Sequence, residues 1–575
     1  MADIEDLYNN KKYNNLQWDN LIKEFNDFTF ADKSDYNKFR IYIQNKYKIV
    51  ITKSELIKLY NHLSYNNINM KNIITKKKNK SNSGVLVITV LTSANPEYID
   101  DNNNKVVNNF SCKHDCFYCP NEPAHENNNW VEQPRSYLYS EPAVLRANQN
   151  NFDPILQINS RLNDLLNMGH FLDKLEILVL GGTWSGYHKN YQKDFIKKLY
   201  YAANTFYDIA SSKREILSLE EEISFNEYNS KIHIIGLTLE TRPDTITLEE
   251  IRNFRLYNCT RIQLGVQHTN NKILKKINRG HDIESVYNAI KILKNNCFKV
   301  DIHIMPNLPD STPEIDKEMF NNILEDDRIQ ADQIKIYPCA IVPWTKIKKW
   351  YDEGTYKPYD DYDLYKLIKD FKKRIQNYKR INRIIRDIPC QYITGGYNKE
   401  TVNIRQLLQN DMKKNNWCCK CIRCREIKDN QINIDDIKLK IIRYKSSDGI
   451  EYFISLETID YLIGFIRLRI NYNYDNVLDV LKNCSLIREL HVYGNLNIVD
   501  GDLFNSNTQH RGFGKRLIEE AEKISIIHKL YKIAIISGTG VRNYYRKFGY
   551  NLVDTYMIKK LYYFNYFNFY KNKMI

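Results

Sequence analysis

Eight residues of this chain, Cys112-Lys113-His114-Asp115-Cys116-Phe117-Tyr118-Cys119, carry three thiols separated by three and then two residues. Thiolates so spaced can grip one face of an iron–sulfur cube. Such clusters are normally held by four cysteines, and no fourth lies near, so one iron would stay open to an outside ligand. Phe117 and Tyr118 would help cover the cluster. The same letters also fit a zinc knuckle completed by His114 or His125, or thiols that simply pack.

A second group, Cys418-Cys419-Lys420-Cys421-Ile422-Arg423-Cys424, is dense enough for a structural zinc. Cys419, Cys421 and Cys424 would supply three ligands and the distant Cys339 the fourth, with free thiols as the alternative. Of twelve cysteines, seven fall in these two groups, which points to metal chemistry in a reducing compartment.

A third stretch, Gln509-His510-Arg511-Gly512-Phe513-Gly514-Lys515, feeds a helix expected over 516–524. Glycines at a helix N-terminus offer backbone N–H groups and a positive dipole end to a pyrophosphate. A strand over 533–537 follows, then a segment running from Arg542 through Tyr545 to Gly549 and Tyr550. Loop, helix, strand and helix in that order fit an acetyl-CoA fold.

These groups need elements to position them. β-rich apolar runs over 85–91, 175–180, 232–239, 261–266, 299–305 and 333–337 read as strands buried on both faces. Helical segments over 194–204, 248–257, 283–295 and 312–324 lie between them. The alternation predicts a parallel βα sheet, a full or partial barrel, whose active site lies at the C-terminal strand ends. The first cysteine loop follows the first strand and so sits at that mouth. Gly181-Gly182-Thr183, Glu240, Gln267-His268, His303 and Met305 end later strands.

The chain of 575 residues is too long for one core. Four regions are expected: a basic helical region over 1–83, the barrel over 84–386, a cysteine-rich zinc connector over 387–432 and an α/β acetyl-CoA domain over 433–575. A net charge of +15 favours a polyanionic partner, and the run Lys76-Lys77-Lys78-Asn79-Lys80 reads equally as a solvated linker or a phosphate-contacting arm. The start, MADIEDLYNN, lacks the features of a signal peptide, and no apolar run reaches about 18 residues, so no membrane association is expected.

From about Ser83 to Lys559 the chain resembles the catalytic subunit of Elongator, a radical-SAM and acetyltransferase family that modifies wobble uridines in tRNA. The resemblance rests on Arg135-Ser136-Tyr137-Leu138, Glu141 to Arg146, Gly181-Gly182-Thr183, Leu239 to Asp244, Asn278-Arg279-Gly280-His281, Arg488 to Gly494 and Gly512-Phe513-Gly514. It implies a [4Fe–4S] cluster on Cys112, Cys116 and Cys119 whose open iron holds S-adenosylmethionine, with Gly181, Gly182 and Glu240 as cofactor contacts. It implies acetyl-CoA on Glu489, Leu490, His491 and Val492, with Phe513, Gly514 and Lys515 at the pyrophosphate and Tyr545 at the thioester end, in a catalytic position. Lys174 matches a lysine associated with acetyl-CoA in the barrel.

The resemblance further implies a tRNA anticodon stem-loop as substrate, an electron donor, and Elongator-like accessory subunits or self-association. The implied location is the cytoplasm, with a nuclear pool allowed. One departure stands out: Asn121-Glu122 occupy the place where the family often has two glycines. Two other classes compete with the tRNA reading. One is a protein lysine acetyltransferase with the barrel as scaffold, and the other a non-catalytic tRNA-binding assembly subunit.

Overall fold

The computed structural model describes residues 15–29, 35–47, 51, 56, 59–60, 84–110, 112–208, 213–397, 403–428, 430, 432–493 and 512–562. The lysine run at 76–80, the loop residues 494–511 and the aromatic tail beyond Tyr562 lie outside the described residues.

The central sheet holds seven strands in sequence order: β1 (Val85–Leu91), β2 (Lys174–Leu180), β3 (His233–Thr241), β4 (Arg261–Gln267), β5 (Lys299–Ile304), β6 (Gln333–Ile336) and β7 (Arg380–Ile384). Every pairing is parallel. β1 and β7 are the two edges and do not pair, so the sheet is a curled, incomplete barrel. The expected parallel barrel is met, with one strand more than the apolar runs gave. β7 reads Arg-Ile-Asn-Arg-Ile because only Ile381 and Ile384 of this edge strand are buried. β4, between two neighbours, is buried at all seven positions.

Helices cross over between strands and are capped by their own sequence. Asp153, Thr247, Asp282, Thr312 and Asp360 each accept a hydrogen bond from the backbone N–H three residues on. Each such cap contributes about 1 kcal/mol by satisfying an otherwise orphaned donor. Helix Ile404–Lys414, in the connector, buries Ile404 and Leu408 in the same core as the barrel. Farther N-terminal, helices Asn15–Asp27 and Asp35–Tyr47 share a small core of Trp18, Leu21, Phe25, Phe39 and Ile43.

The second sheet comprises β8 (Lys438–Lys445), β9 (Gly449–Glu457), β10 (Leu462–Asn471), β11 (Ser485–Val492), β12 (Lys532–Ile535), β13 (Asn551–Val553) and β14 (Tyr556–Lys560). Its order is β8-β9-β10-β11-β12-β14-β13, antiparallel except for β11 with β12. Helix Phe513–Ile527 packs across β9, β10 and β11. The two sheets meet along a buried charged seam, where Arg488 bonds Asp332, Lys294 lies 3.2 Å from Glu451, and Arg542 lies 2.6 Å from Glu227. Among the described residues no helix is long and apolar enough to cross a membrane.

Candidate active site

The loop after β1 carries the first cysteine set to the C-terminal mouth of the barrel. Cys112 Sγ lies 3.4 Å from Thr183 Oγ1, just past β2. Cys116 is buried, and its Sγ accepts from Arg242 Nη1 at 3.7 Å and Arg279 Nη1 at 3.5 Å. Burial pushes the Cys119 thiol well up, and the neighbouring Cys116 and Cys112 add to the shift.

The spacing separates cluster from zinc. A tetrahedral zinc, with Zn–S near 2.3 Å, draws its thiolates to about 3.8 Å from one another. Among the described residues only Cys419, Cys421 and Cys424 place three ligand atoms within 4.8 Å of each other, so Cys112, Cys116 and Cys119 stand wider apart. A cube several ångströms across fits that separation, and a single ion does not. Both histidines offered for a knuckle are engaged elsewhere. His114 packs on Gly280, where a Cβ would come within 2.3 Å of its ring, and His125 Nε2 bonds Glu122 Oε1 at 2.9 Å.

Gly181 and Gly182 follow β2 with φ of 132° and 109°, which glycine adopts without strain. A Cβ on Gly181 would strike Thr92 Oγ1 at 1.9 Å. The turn is further pinned by Tyr187, whose hydroxyl donates to Gly181 O at 2.7 Å.

Below the mouth the lumen is polar. Tyr137 donates to Glu240 Oε2 at 3.4 Å, and His303 Nδ1 lies 3.4 Å from Glu240 Oε1. Burial opposes the Glu240 charge, but His303, Lys335 and Arg386 hold the carboxyl down at about 2. Burial lowers His303, whose Nε2 has no hydrogen-bond partner. Burial also lowers Lys335 to about 8, against Glu240 and Asp301, while its Nζ donates to Gln263 Oε1 at 2.6 Å. Lys335 and Gln263 escaped the sequence reading, although polar residues alternating inside a buried strand were the available signal.

A cavity of about 750 Å³ runs from Tyr118, Ser136 and Met305 at the mouth, through this lumen, to the second sheet. There β11 and β12 pair only from Ser485 to Ile487, then separate. The opening is lined by Glu489, Leu490 and His491 on one side and by Ser537, Gly538 and Tyr545 on the other. A bulge opposite Arg467 and Leu468 sets the register of β11. Burial opposes the charge of Glu489, but Lys299 and Arg467 hold it at about 2, with Arg467 Nε donating to Oε2 at 2.9 Å. Burial raises Tyr545 and lowers His491, whose Nε2 is unpartnered.

Val492 is half-buried at the end of β11. Phe513 and Gly514 begin the helix behind Gly512, which caps it at φ 78°. A Cβ on Gly514 would displace the Tyr544 hydroxyl, which lies 2.1 Å from its place, whereas Lys515 is exposed near Glu519. Lys174 opens β2 at the opposite end of the barrel from the cysteines, paired with Val85 and His233.

The zinc expectation needs one correction. Cys339 is not brought to Cys419, Cys421 and Cys424: its thiol is buried among Ile273, Ile277 and Leu308, beside the Tyr356 hydroxyl. Burial raises it to about 12, against the hydrogen bond to Tyr356. Cys390 and Cys418 are exposed.

Comparison with known proteins agrees with this layout. Residues 110–320 match the Radical SAM superfamily and residues 331–414 the Radical_SAM C-terminal domain. The chain is 37% identical over 500 residues to a tRNA uridine(34) acetyltransferase of Methanocaldococcus jannaschii, covering 85% of this chain and 87% of that one. It is 34% identical over 453 residues to Elongator complex protein 3 of Homo sapiens, covering 78% and 80%. The structure of archaeal Methanocaldococcus infernus Elp3 with an N-terminal deletion superposes with a TM-score of 0.67 at 33% identity, covering 83% of this chain and all of that one. With the cysteine mouth inside the matched family region and most of the chain aligned to these relatives, the chain belongs to the radical-SAM family of tRNA uridine(34) acetyltransferases and Elongator complex protein 3.

Proposed function

We propose that this protein uses S-adenosylmethionine radical chemistry and acetyl-CoA to install a carboxymethyl group at C5 of the wobble uridine of tRNA. The observation that carries the reading is the single cavity joining the cysteine mouth to the β11–β12 opening. A reaction that combines a radical with an acetyl donor needs both within one enclosed space. When bound, the cluster and S-adenosylmethionine supply a radical able to take hydrogen from the acetyl methyl group.

The chain's own work is holding and shielding. Cys112, Cys116 and Cys119 hold the cluster, and Gly181 and Gly182 leave room for the cofactor. Glu240 anchors the lumen's hydrogen bonds. The separated ends of β11 and β12 receive the acyl arm, and backbone groups of Leu490 to Val492 that face β12 are left unpaired by it, so they suit the arm's amides. Helix Phe513–Ile527 offers its N-terminal N–H groups to the pyrophosphate. Tyr545 closes the acyl end, and the lumen excludes bulk water. Cys419, Cys421 and Cys424 hold a structural zinc. The net charge of +15 draws in the anticodon stem-loop, whose unpaired bases are accessible. An external electron donor is required, and accessory subunits or a second copy would assist RNA binding.

The test is anaerobic, reconstituted protein with labelled acetyl-CoA and tRNA. Deoxyadenosine and label in the wobble uridine are expected. Absence of both would sink the proposal, and acetyl transfer to protein that survives Cys116→Ala would favour the lysine acetyltransferase reading.

A further inference from the structure

Beside the cysteine mouth stands an aromatic ledge that the reaction above does not use. Trp344 lies in the loop between β6 and β7 with φ at 58°, a left-handed backbone that bulky residues rarely adopt. Such strain persists only where the surroundings impose it, and it gathers at ligand clamps. Here the backbone is held by Asn121, whose N–H donates to Trp344 O at 3.2 Å. The indole nevertheless remains 37% exposed.

Its inner face is braced. The Trp344 ring stacks on His125 with centroids 5.2 Å apart and planes at 27°, and Tyr392 flanks it at 6.2 Å. His125 is itself fixed by Glu122 at 2.9 Å. Glu122 is fully buried and also accepts from Tyr139 N at 2.7 Å and Asn128 Nδ2 at 3.3 Å. The departure at Asn121-Glu122 therefore builds the support on which Trp344 rests.

The chemistry of the outer face is that of a nucleobase site. Residues 340–350 contain Lys346, Lys348 and Lys349 and no acidic residue, and Lys346 and Lys349 are exposed. A flat π surface on a segment with exposed lysines and no acid suits an unpaired base and its phosphates, because base–aromatic stacking tolerates any base.

We propose that Trp344 is the stacking platform for a base adjacent to the target uridine, braced by His125 and Glu122. This rests on the RNA reading of the mouth given above. The test uses reconstituted full-length protein and two anticodon stem-loops, one intact and one abasic on a given side of the target uridine, with each side tried in turn. Wild-type protein is expected to bind the intact loop about tenfold more tightly than the abasic one on one side, in line with stacking energies for single bases. Trp344→Ala should bind both loops alike, and Trp344→Phe should fall between. If wild type and Trp344→Phe discriminate equally on both sides, the platform is overturned even where Trp344→Ala fails to fold. If wild type discriminates on neither side yet binds the intact loop, the platform is overturned while the function stands. If wild type binds no stem-loop, the RNA reading of the mouth fails and the platform with it.

Discussion

Arg488 leaves the second sheet to donate two hydrogen bonds to Asp332 of the barrel, from Nη1 to Oδ2 at 2.7 Å and from Nη2 to Oδ1 at 2.6 Å. Both side chains are buried. The pair joins the residue before Glu489 on β11 to the residue before β6, the strand that carries Lys335. It thus fixes the opening between β11 and β12 against the lumen. Glu451, Lys294 and Arg467 surround it, so every charge in the seam has a counter-charge.

Asp332→Asn should therefore be strongly destabilising. It leaves Arg488 and Lys294 short of an anion in a site closed to water, which costs roughly 3–5 kcal/mol. Adding Arg488→Met should restore part of the loss, since the stranded charge is then removed as well. Denaturant midpoints of the three proteins check this. A single mutant within about 1 kcal/mol of wild type would show that the seam carries little.

The same seam sets a pH dependence. Burial disfavours the charged forms, yet Arg488 and Lys294 hold Asp332 well below the usual carboxylate range, and the same cations hold Glu451 at about 2. Unfolded, both titrate near 4. The folded state binds fewer protons across that interval, so its stability is complete above about pH 5 and is lost progressively as pH falls toward 2. Denaturant midpoints at successive pH values should fall steeply below pH 5, less so in Asp332→Asn. A flat profile would remove the argument.

The barrel was legible because its strands are continuous apolar runs and its glycines and cysteines sit at strand ends. β7 was not, because an edge strand with only Ile381 and Ile384 buried has the letters of a loop. Their position after the first strand placed Cys112, Cys116 and Cys119 at the mouth, but their spacing could not say whether they converge on an ion or spread around a cube. It also offered Cys339 as a ligand, since sequence distance does not reveal that this thiol packs against Tyr356. Glu122 read as a mere departure because His125, Asn128 and Tyr139 acquire meaning only once the loop folds back on it.

The Cys339 result makes the connector testable. Cys424→Ser should remove zinc from the purified protein, and Cys339→Ser should keep it. Metal analysis of the two variants separates the sites. Zinc lost from both, or absent from wild type, would end the assignment to Cys419, Cys421 and Cys424.

Arg242 and Arg279 make a second measurable claim at the mouth. Two guanidinium groups donate to Cys116 Sγ, and each is buried. Hydrogen bonds and positive charge at a cluster sulfur favour the reduced state. Arg242→Gln should lower the cluster's midpoint potential, read by spectroscopic redox titration of reconstituted protein. An unchanged or higher potential would assign the arginine to packing alone.

Two glycines let the second sheet's loop pack closely against the barrel. A Cβ on Gly538 would come within 2.1 Å of Ile235 O and 2.9 Å of Gly236 N, and one on Gly540 within 2.4 Å of His233 Cβ. The loop after β12 can lie against the foot of β3 only because these positions lack side chains. Gly538→Ala must push the loop away, at a cost of about 1–3 kcal/mol. Ser537 and Tyr545 border the cavity on this same side, so they would shift relative to the lumen. The cysteine mouth lies at the other end of the barrel and should be untouched. Deoxyadenosine formation should therefore persist in Gly538→Ala, while acetyl incorporation into tRNA falls, by roughly a hundredfold if the shift approaches 1 Å. Equal loss of both would mean that the glycine serves folding rather than the alignment of the two ends.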